Sequence, residues 1–130
     1  MKKTFKKKER LHSRKLIDTL FSEGKHFFKY PFKVIWLETT HETAYPVQIM
    51  VSVSKRKFRK AVDRNKLKRR IKEAYRNNKP ALVAGRESKK EALLLALVYT
   101  ADDMLSYAEI ERKIILILQR LTEQDDQAAG

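Results

Sequence analysis

At 130 residues the chain has the length of one domain with a single hydrophobic core, and 42% hydrophobic content excludes a disordered chain. The absence of cysteine excludes disulfides and thiolate chemistry and suits a reducing, cytoplasmic setting. No apolar run approaches the roughly 18 residues that cross a bilayer. A net charge of +14 calls for a polyanionic partner, nucleic acid before an anionic membrane.

The charge is not spread evenly. Lys55–Arg76 holds twelve Lys or Arg against Asp63 and Glu73, and residues 1–10 add a further net +5, so the remaining body is close to neutral. Residues 1–10 (MKKTFKKKER) read as a basic flexible arm, and no apolar segment follows them as it would in a signal peptide.

In chain order, Ser13 is the expected N-cap and Gly24 the stop of a first helix ending near Glu23, with Leu16, Ile17, Leu20 and Phe21 as its apolar stripe. A short strand is expected at His26–Lys29 and a second at Phe32–Glu38, with Thr39–Tyr45 a polar connection. In Val47–Ser54, Val47, Ile49, Val51 and Val53 alternate with polar or flexible residues, the pattern of an antiparallel strand with one buried face. A basic loop, Lys55–Lys60, leads into a helix from about Ala61 to Asn77, and residues 80–91 read as a connection around Gly85. Ala92–Thr100 is a continuous apolar run suited to a strand buried on both faces.

Ser106 and Glu109 form a capping box for a last helix, Tyr107–Leu121, whose apolar residues recur at three- and four-residue steps. Residues 122–130 read as a frayed acidic tail. The whole is a single α+β domain over residues 11–121, an α-β-β-β-α-β-α sandwich with a sheet of about four strands.

At 100° per residue, the basic helix turns Leu67, Ile71, Ala74 and Tyr75 to the core. Opposite them lie Asn65, Arg69, Lys72 and Arg76, flanked by Lys68, with Lys66 and Arg70 beyond and Arg64 at the apolar edge. A solvated helix usually mixes charge signs at i, i+4. A row of like charges opposes folding, so a phosphate-rich partner is the stronger reading than a merely solvated face. Asn65 offers both donor and acceptor among donors, which suits a base edge, a ribose hydroxyl or an orienting bond to Arg64; the alternative is a cap on the helix start.

Arg64-Asn65-x-x-Lys68-Arg69, preceded by Lys55-Arg56 and Ala61-Val62, resembles the signature of the bacterial ribonuclease P protein subunit. The first helix with Phe21 and Gly24, the strand ending Val51-Ser52-Val53-Ser54-Lys55 and the apolar run Leu93–Tyr99 follow in the same order, so the likeness covers about Arg10 to Leu121. Departures are Lys72 in place of the family's usual Arg, Phe58-Arg59-Lys60 where some members carry a Gly, and a longer segment 80–91.

The resemblance implies an accessory subunit of a ribonucleoprotein endonuclease that removes the 5′ leader of precursor tRNA. The RNA subunit would carry the chemistry and use Mg²⁺, with no cofactor or metal held by the protein. It also implies a left-handed β-α-β crossover through the basic helix, against the usual right-handed one. By match of motif, Lys55, Arg56, Arg59, Lys60, Arg64, Asn65, Lys68, Arg69 and Lys72 would contact the catalytic RNA, and the charge row adds Arg76.

A cleft between helix and sheet would receive the single-stranded leader, which needs positive charge and flat surfaces for base stacking. Candidates for it are Ile17, Phe21, Phe28, Phe32 and Trp36; for any one of the aromatics hydrophobic core is the stronger reading, and Trp36 is the first choice for the cleft because an indole tolerates part exposure. His12, His26 and His41 are scattered, and Asp102-Asp103 reads as a turn before the last helix, so the residues offer no protein nuclease site. Two other functions remain open: a structural RNA binder of the ribosome-associated type, and a membrane-surface protein, weakened because both long helices commit their apolar faces to the core.

Overall fold

The computed structural model describes residues 9–40, 45–87, 89 and 91–129, with side chains described as far as residue 123. Its elements are α1 (Arg14–Glu23), β1 (Lys25–Lys29), β2 (Phe32–Thr39), β3 (Val47–Val53), α2 (Ala61–Asn78), α3 (Pro80–Glu87), β4 (Ala92–Tyr99) and α4 (Tyr107–Ala129). The expected elements all form, with α3 in addition. Pro80 is a good first helical residue because its missing N–H is not needed there. Leu82 and Arg86 turn inward, one helical turn apart, and Gly85 sits in the helix facing open space rather than ending it.

The sheet order is β1-β2-β4-β3. β1–β2 and β2–β4 are antiparallel, whereas β3 runs parallel to β4 along its whole length, with Val47 opposite Leu93 and Val53 opposite Tyr99. The antiparallel expectation for β3 is therefore corrected. Its alternating pattern comes from an edge position with one face turned to the core, Val47, Ile49 and Val53 buried and Val51 partly so, and its direction from a crossover through α2 and α3. β4, between two strands, is buried on both faces as its unbroken apolar run requires.

The two faces of the sheet carry separate cores. On one, Phe32, Val34, Val47, Ile49, Leu93, Leu95, Leu97 and Tyr99 meet Leu67, Ile71, Ala74 and Tyr75 of α2 and Ile110, Ile114, Ile117 and Leu121 of α4. On the other, Ile35, Leu94 and Ala96 are covered by Leu20 and Leu11, with Leu16 and Ile17 at the margin. The result is three layers: α1, the sheet, and α2 with α3 and α4.

Local signals account for the ends of the helices. Ser13 Oγ accepts from the Leu16 N–H at 3.4 Å at the start of α1. Ser106 Oγ accepts from the Glu109 N–H at 3.3 Å and donates to the Glu109 carboxylate at 3.1 Å, completing the capping box. Gly24 stops α1, its N–H donating to Leu20 O at 2.8 Å. A Cβ there would lie 2.3 Å from that oxygen and 2.9 Å from Ile35 Cγ2, so close approach, not an unusual φ, requires glycine.

Both terminal assignments change. Glu9 and Arg10 belong to the body rather than to an arm: Glu9 is buried in an ion pair with Lys79, and Arg10 bridges Ile49 on the open edge of β3. Residues 1–8 of the expected arm and residues 41–44 of the polar connection lie outside the described residues. At the other end, α4 continues through the expected tail to Ala129.

Candidate nucleic-acid interface

The basic loop is a tied turn. Ser54 Oγ accepts from the N–H groups of Arg56 (3.1 Å) and Lys57 (3.3 Å), and the Phe58 N–H donates to Ser54 O at 3.1 Å. Phe58 is buried against Tyr99, with ring centroids 6.0 Å apart. Lys57 Nζ donates to Thr100 O at 2.5 Å and pairs with Asp102 at 3.3 Å. With the turn anchored by Ser54, Lys57 and Phe58, the side chains of Lys55, Arg56, Arg59 and Lys60 stand exposed around it.

Arg64 fixes this turn to the helix. Its Nη1 donates to Phe58 O at 2.7 Å and to Arg59 O at 2.9 Å. Lys60 occupies the N-cap position without a side-chain bond, while Asp63 in the first turn favours the positive end of the helix. Asn65 lies beyond the first turn and is exposed, so it is not the cap.

The core-facing set of α2 is the expected one, Leu67, Ile71, Ala74 and Tyr75. On the opposite side Asn65, Lys68, Arg69, Lys72, Glu73 and Arg76, together with Arg10 from before α1, line an open groove of about 340 Å³. Burial depresses the Lys72 pKa first, and the neighbouring charges of Arg10 and Lys68 push it the same way. Arg76 departs from expectation: it pairs with Glu73, its Nε donating to Oε2 at 3.2 Å, so one member of the row has an intramolecular partner. That bond lowers the Glu73 pKa and raises that of Arg76. Arg70, beyond the row, donates to Leu105 O at 2.6 Å and braces the approach to α4.

Sequence reasoning missed Arg10, because a basic residue in a charged arm carries no periodic signal; only the bridge to Ile49 brings it to α2.

The leader-cleft candidates fall on two sides of the sheet. Phe32 is fully buried in the core under α2 and α4, edge-on to Tyr99 at 5.7 Å, and has no surface to offer a base. Trp36 shares that side, half-buried, with Lys25 Nζ 5.0 Å from its ring centre. Phe32 is therefore corrected to core, and Trp36 lies at the margin of that core.

Ile17 and Phe21 lie on α1, across the sheet, with Phe21 41% exposed. Phe28, opposite Lys33, is on the α1 side and 61% exposed. Register extends that pair to Val98 and Ser52, giving a row across all four strands that α1 leaves at least partly open. Alternation within β2 was legible in the sequence, but which face α1 covers was not.

Among the described residues no three His, Cys, Asp or Glu side chains gather as a metal site, and no helix is long and apolar enough to cross a membrane.

A four-stranded α+β body with a cationic helix and an anchored basic turn on its surface defines a small protein of the RNA-binding class. The chain belongs to the ribonuclease P protein family, whose model, described as Ribonuclease P, matches residues 5–122. The ribonuclease P protein component of Porphyromonas gingivalis is 38% identical over 116 residues, covering 88% of this chain and 84% of the relative. That of Petrotoga mobilis is 33% identical over 122 residues, covering 91% and 95%.

Among solved structures, the RNase P protein from Thermotoga maritima superposes with a TM-score of 0.67 at 22% identity, over 86% of this chain and 96% of that one. The Staphylococcus aureus protein gives 0.63 at 23%, over 92% and 93%. These likenesses show the same fold. The role of the chain accordingly lies in ribonuclease P and tRNA processing.

Proposed function

We propose that this chain binds the catalytic RNA of ribonuclease P through the Lys55–Lys60 turn and the outer face of α2, and holds the 5′ leader of precursor tRNA beside α1. The observation that carries the first part is the groove lined by Arg10, Asn65, Lys68, Arg69, Lys72 and the Glu73–Arg76 pair, in which Arg10 and Lys68 oppose the charge of Lys72. Phosphates neutralise such a row, and the release of their counterions supplies affinity. Lys55, Arg56, Arg59 and Lys60 extend the contact along the backbone, and Arg64 holds their turn in place.

The open row Phe28, Lys33, Val98 and Ser52, on the side of the sheet that α1 covers, with Ile17 packed in the same cluster as Val98, combines a stacking surface with a cation and suits single-stranded RNA. Hydrolysis is assigned to the RNA subunit with its Mg²⁺. The protein lowers repulsion between two polyanions in a cytoplasmic ribonucleoprotein.

RNA affinity tests this reading. With the cognate ribonuclease P RNA, log K is expected to fall linearly with log salt. Arg69→Ala is expected to reduce the slope by about 0.7–0.9, the contribution of one phosphate. An unchanged slope removes Arg69 from the interface.

A further inference from the structure

Glu9 and Lys79 are 70 residues apart and form an ion pair in which each side chain is only 5% exposed. Burying two charges costs desolvation that their attraction often fails to recover, so such a pair is weak evidence of a stability element; its best-attested use is to specify one geometry.

The geometry specified here is that of the segment joining residue 9 to α1. Glu9 is fixed to the residue that ends α2, close enough to Tyr75 that its carboxylate adds to burial in raising that phenol. Two residues on, Leu11 is buried in the core under α1, and its N–H donates to Ile49 O at 2.8 Å. Arg10 is pinned between these anchors. Its backbone bridges Ile49 at the edge of β3, and its exposed side chain lines the groove with Asn65, Lys68, Arg69, Lys72 and the Glu73–Arg76 ion pair.

Resting on the RNA-binding reading above, we propose that Arg10 is a phosphate-contacting member of the α2 row, and that the buried Glu9–Lys79 pair is the positioning element that delivers it there. The motif on α2 supplies one wall of the site, and a residue more than fifty positions earlier supplies the other. The partner is the same RNA backbone. Its phosphate would be gripped between β3's edge and α2 rather than lying on α2 alone.

The sign of one substitution separates positioning from simple charge. Glu9→Gln removes a negative charge near a polyanion site, so charge counting predicts tighter RNA binding. A positioning role predicts weaker binding, because Arg10 is no longer held. With the full chain and its cognate ribonuclease P RNA, Arg10→Ala is expected to lower the slope of log K against log salt by about 0.7–0.9. Glu9→Gln should give a loss of similar size. The Glu9→Gln/Arg10→Ala double variant should be no worse than Arg10→Ala alone, while either combined with Arg69→Ala adds to it.

Equal or tighter binding by Glu9→Gln, with a normal thermal melt, overturns the positioning role. An unchanged slope for Arg10→Ala overturns the contact. A Glu9→Gln protein that loses its cooperative melt marks the pair as structural support and also overturns positioning, leaving Arg10→Ala to decide the contact. If Arg69→Ala also leaves the slope unchanged, the RNA-binding reading itself fails; if Arg69→Ala lowers it and the Arg10 and Glu9 variants do not, only the present proposal fails.

Discussion

Lys72 is the side chain at which the like charges of the groove act most directly on the folded state. It is half-buried, with Arg10 and Lys68 as neighbours, and all three influences disfavour its charged form. Like-charge neighbours on a helix cost roughly 0.2–0.5 kcal/mol per pair. Lys72→Met is therefore expected to raise the melting temperature of the free protein by about 1–2 °C, on the usual conversion for a domain of this size, while weakening RNA binding.

The sign with pH follows from linkage. The folded pKa is below the unfolded value of 10.5, so the unfolded state binds more protons in the alkaline window between the two. The penalty is whole below the folded pKa and disappears as pH rises past the unfolded one. The stability advantage of Lys72→Met, measured by urea unfolding, should thus shrink as pH is raised from 8 towards 10.5. A constant advantage would mean that packing, not charge, sets the difference. The helical period placed Lys72 on the outer face, but it gave no warning of Arg10 beside it or of Glu73 pairing with Arg76. Those contacts depend on side-chain reach and on the path of a distant segment.

Among the elements, α1 decides how the second face of the sheet is used. Gly24 lets the helix end against β2, and Leu20 fills the small core with Ile35, Leu94 and Ala96. Gly24→Ala would force its Cβ onto Leu20 O and Ile35 Cγ2, and the overpacking is expected to cost about 1–3 kcal/mol in urea unfolding. A loss below a few tenths of a kcal/mol would show that α1 can move away freely.

The same geometry sorts the aromatics. Photocrosslinkers at positions 21 and 28 are expected to capture the leader of bound precursor tRNA, whereas one at position 36, on the α2–α4 side, is not. Crosslinking chiefly from position 36 would put the leader on the wrong face. Strand alternation, the Ser13 cap, the Ser106–Glu109 capping box and the α2 wheel were all legible because they are local. The direction of β3 and the separation of Phe21 from Phe32 were not, since both follow from which elements pack together. α3 was hidden by Gly85, a helix breaker by propensity that here lies in open space on a helix held by Leu82 and Arg86.

Over the whole molecule, charge and apolar surface are separated by the three-layer arrangement. The α2 face and its turn carry the cations, the interior layers are closed by α4 and α1, and the α1 side leaves a narrow strip of sheet open. The proposed function uses both surfaces, one for the charge of an RNA backbone and one for unstacked bases. On the proposed function, the cationic surface would screen repulsion between catalytic RNA and substrate, so its effect should be greatest where Mg²⁺ is scarce. Reconstitution measures this directly, as cleavage of precursor tRNA at low Mg²⁺ by the cognate RNA with and without the chain. The chain alone is expected to cut nothing and the mixture to restore 5′ leader removal, with Lys68→Ala/Arg69→Ala losing most of the restoration while remaining folded. Cleavage by the protein without RNA, or full restoration by that double variant, would contradict the account.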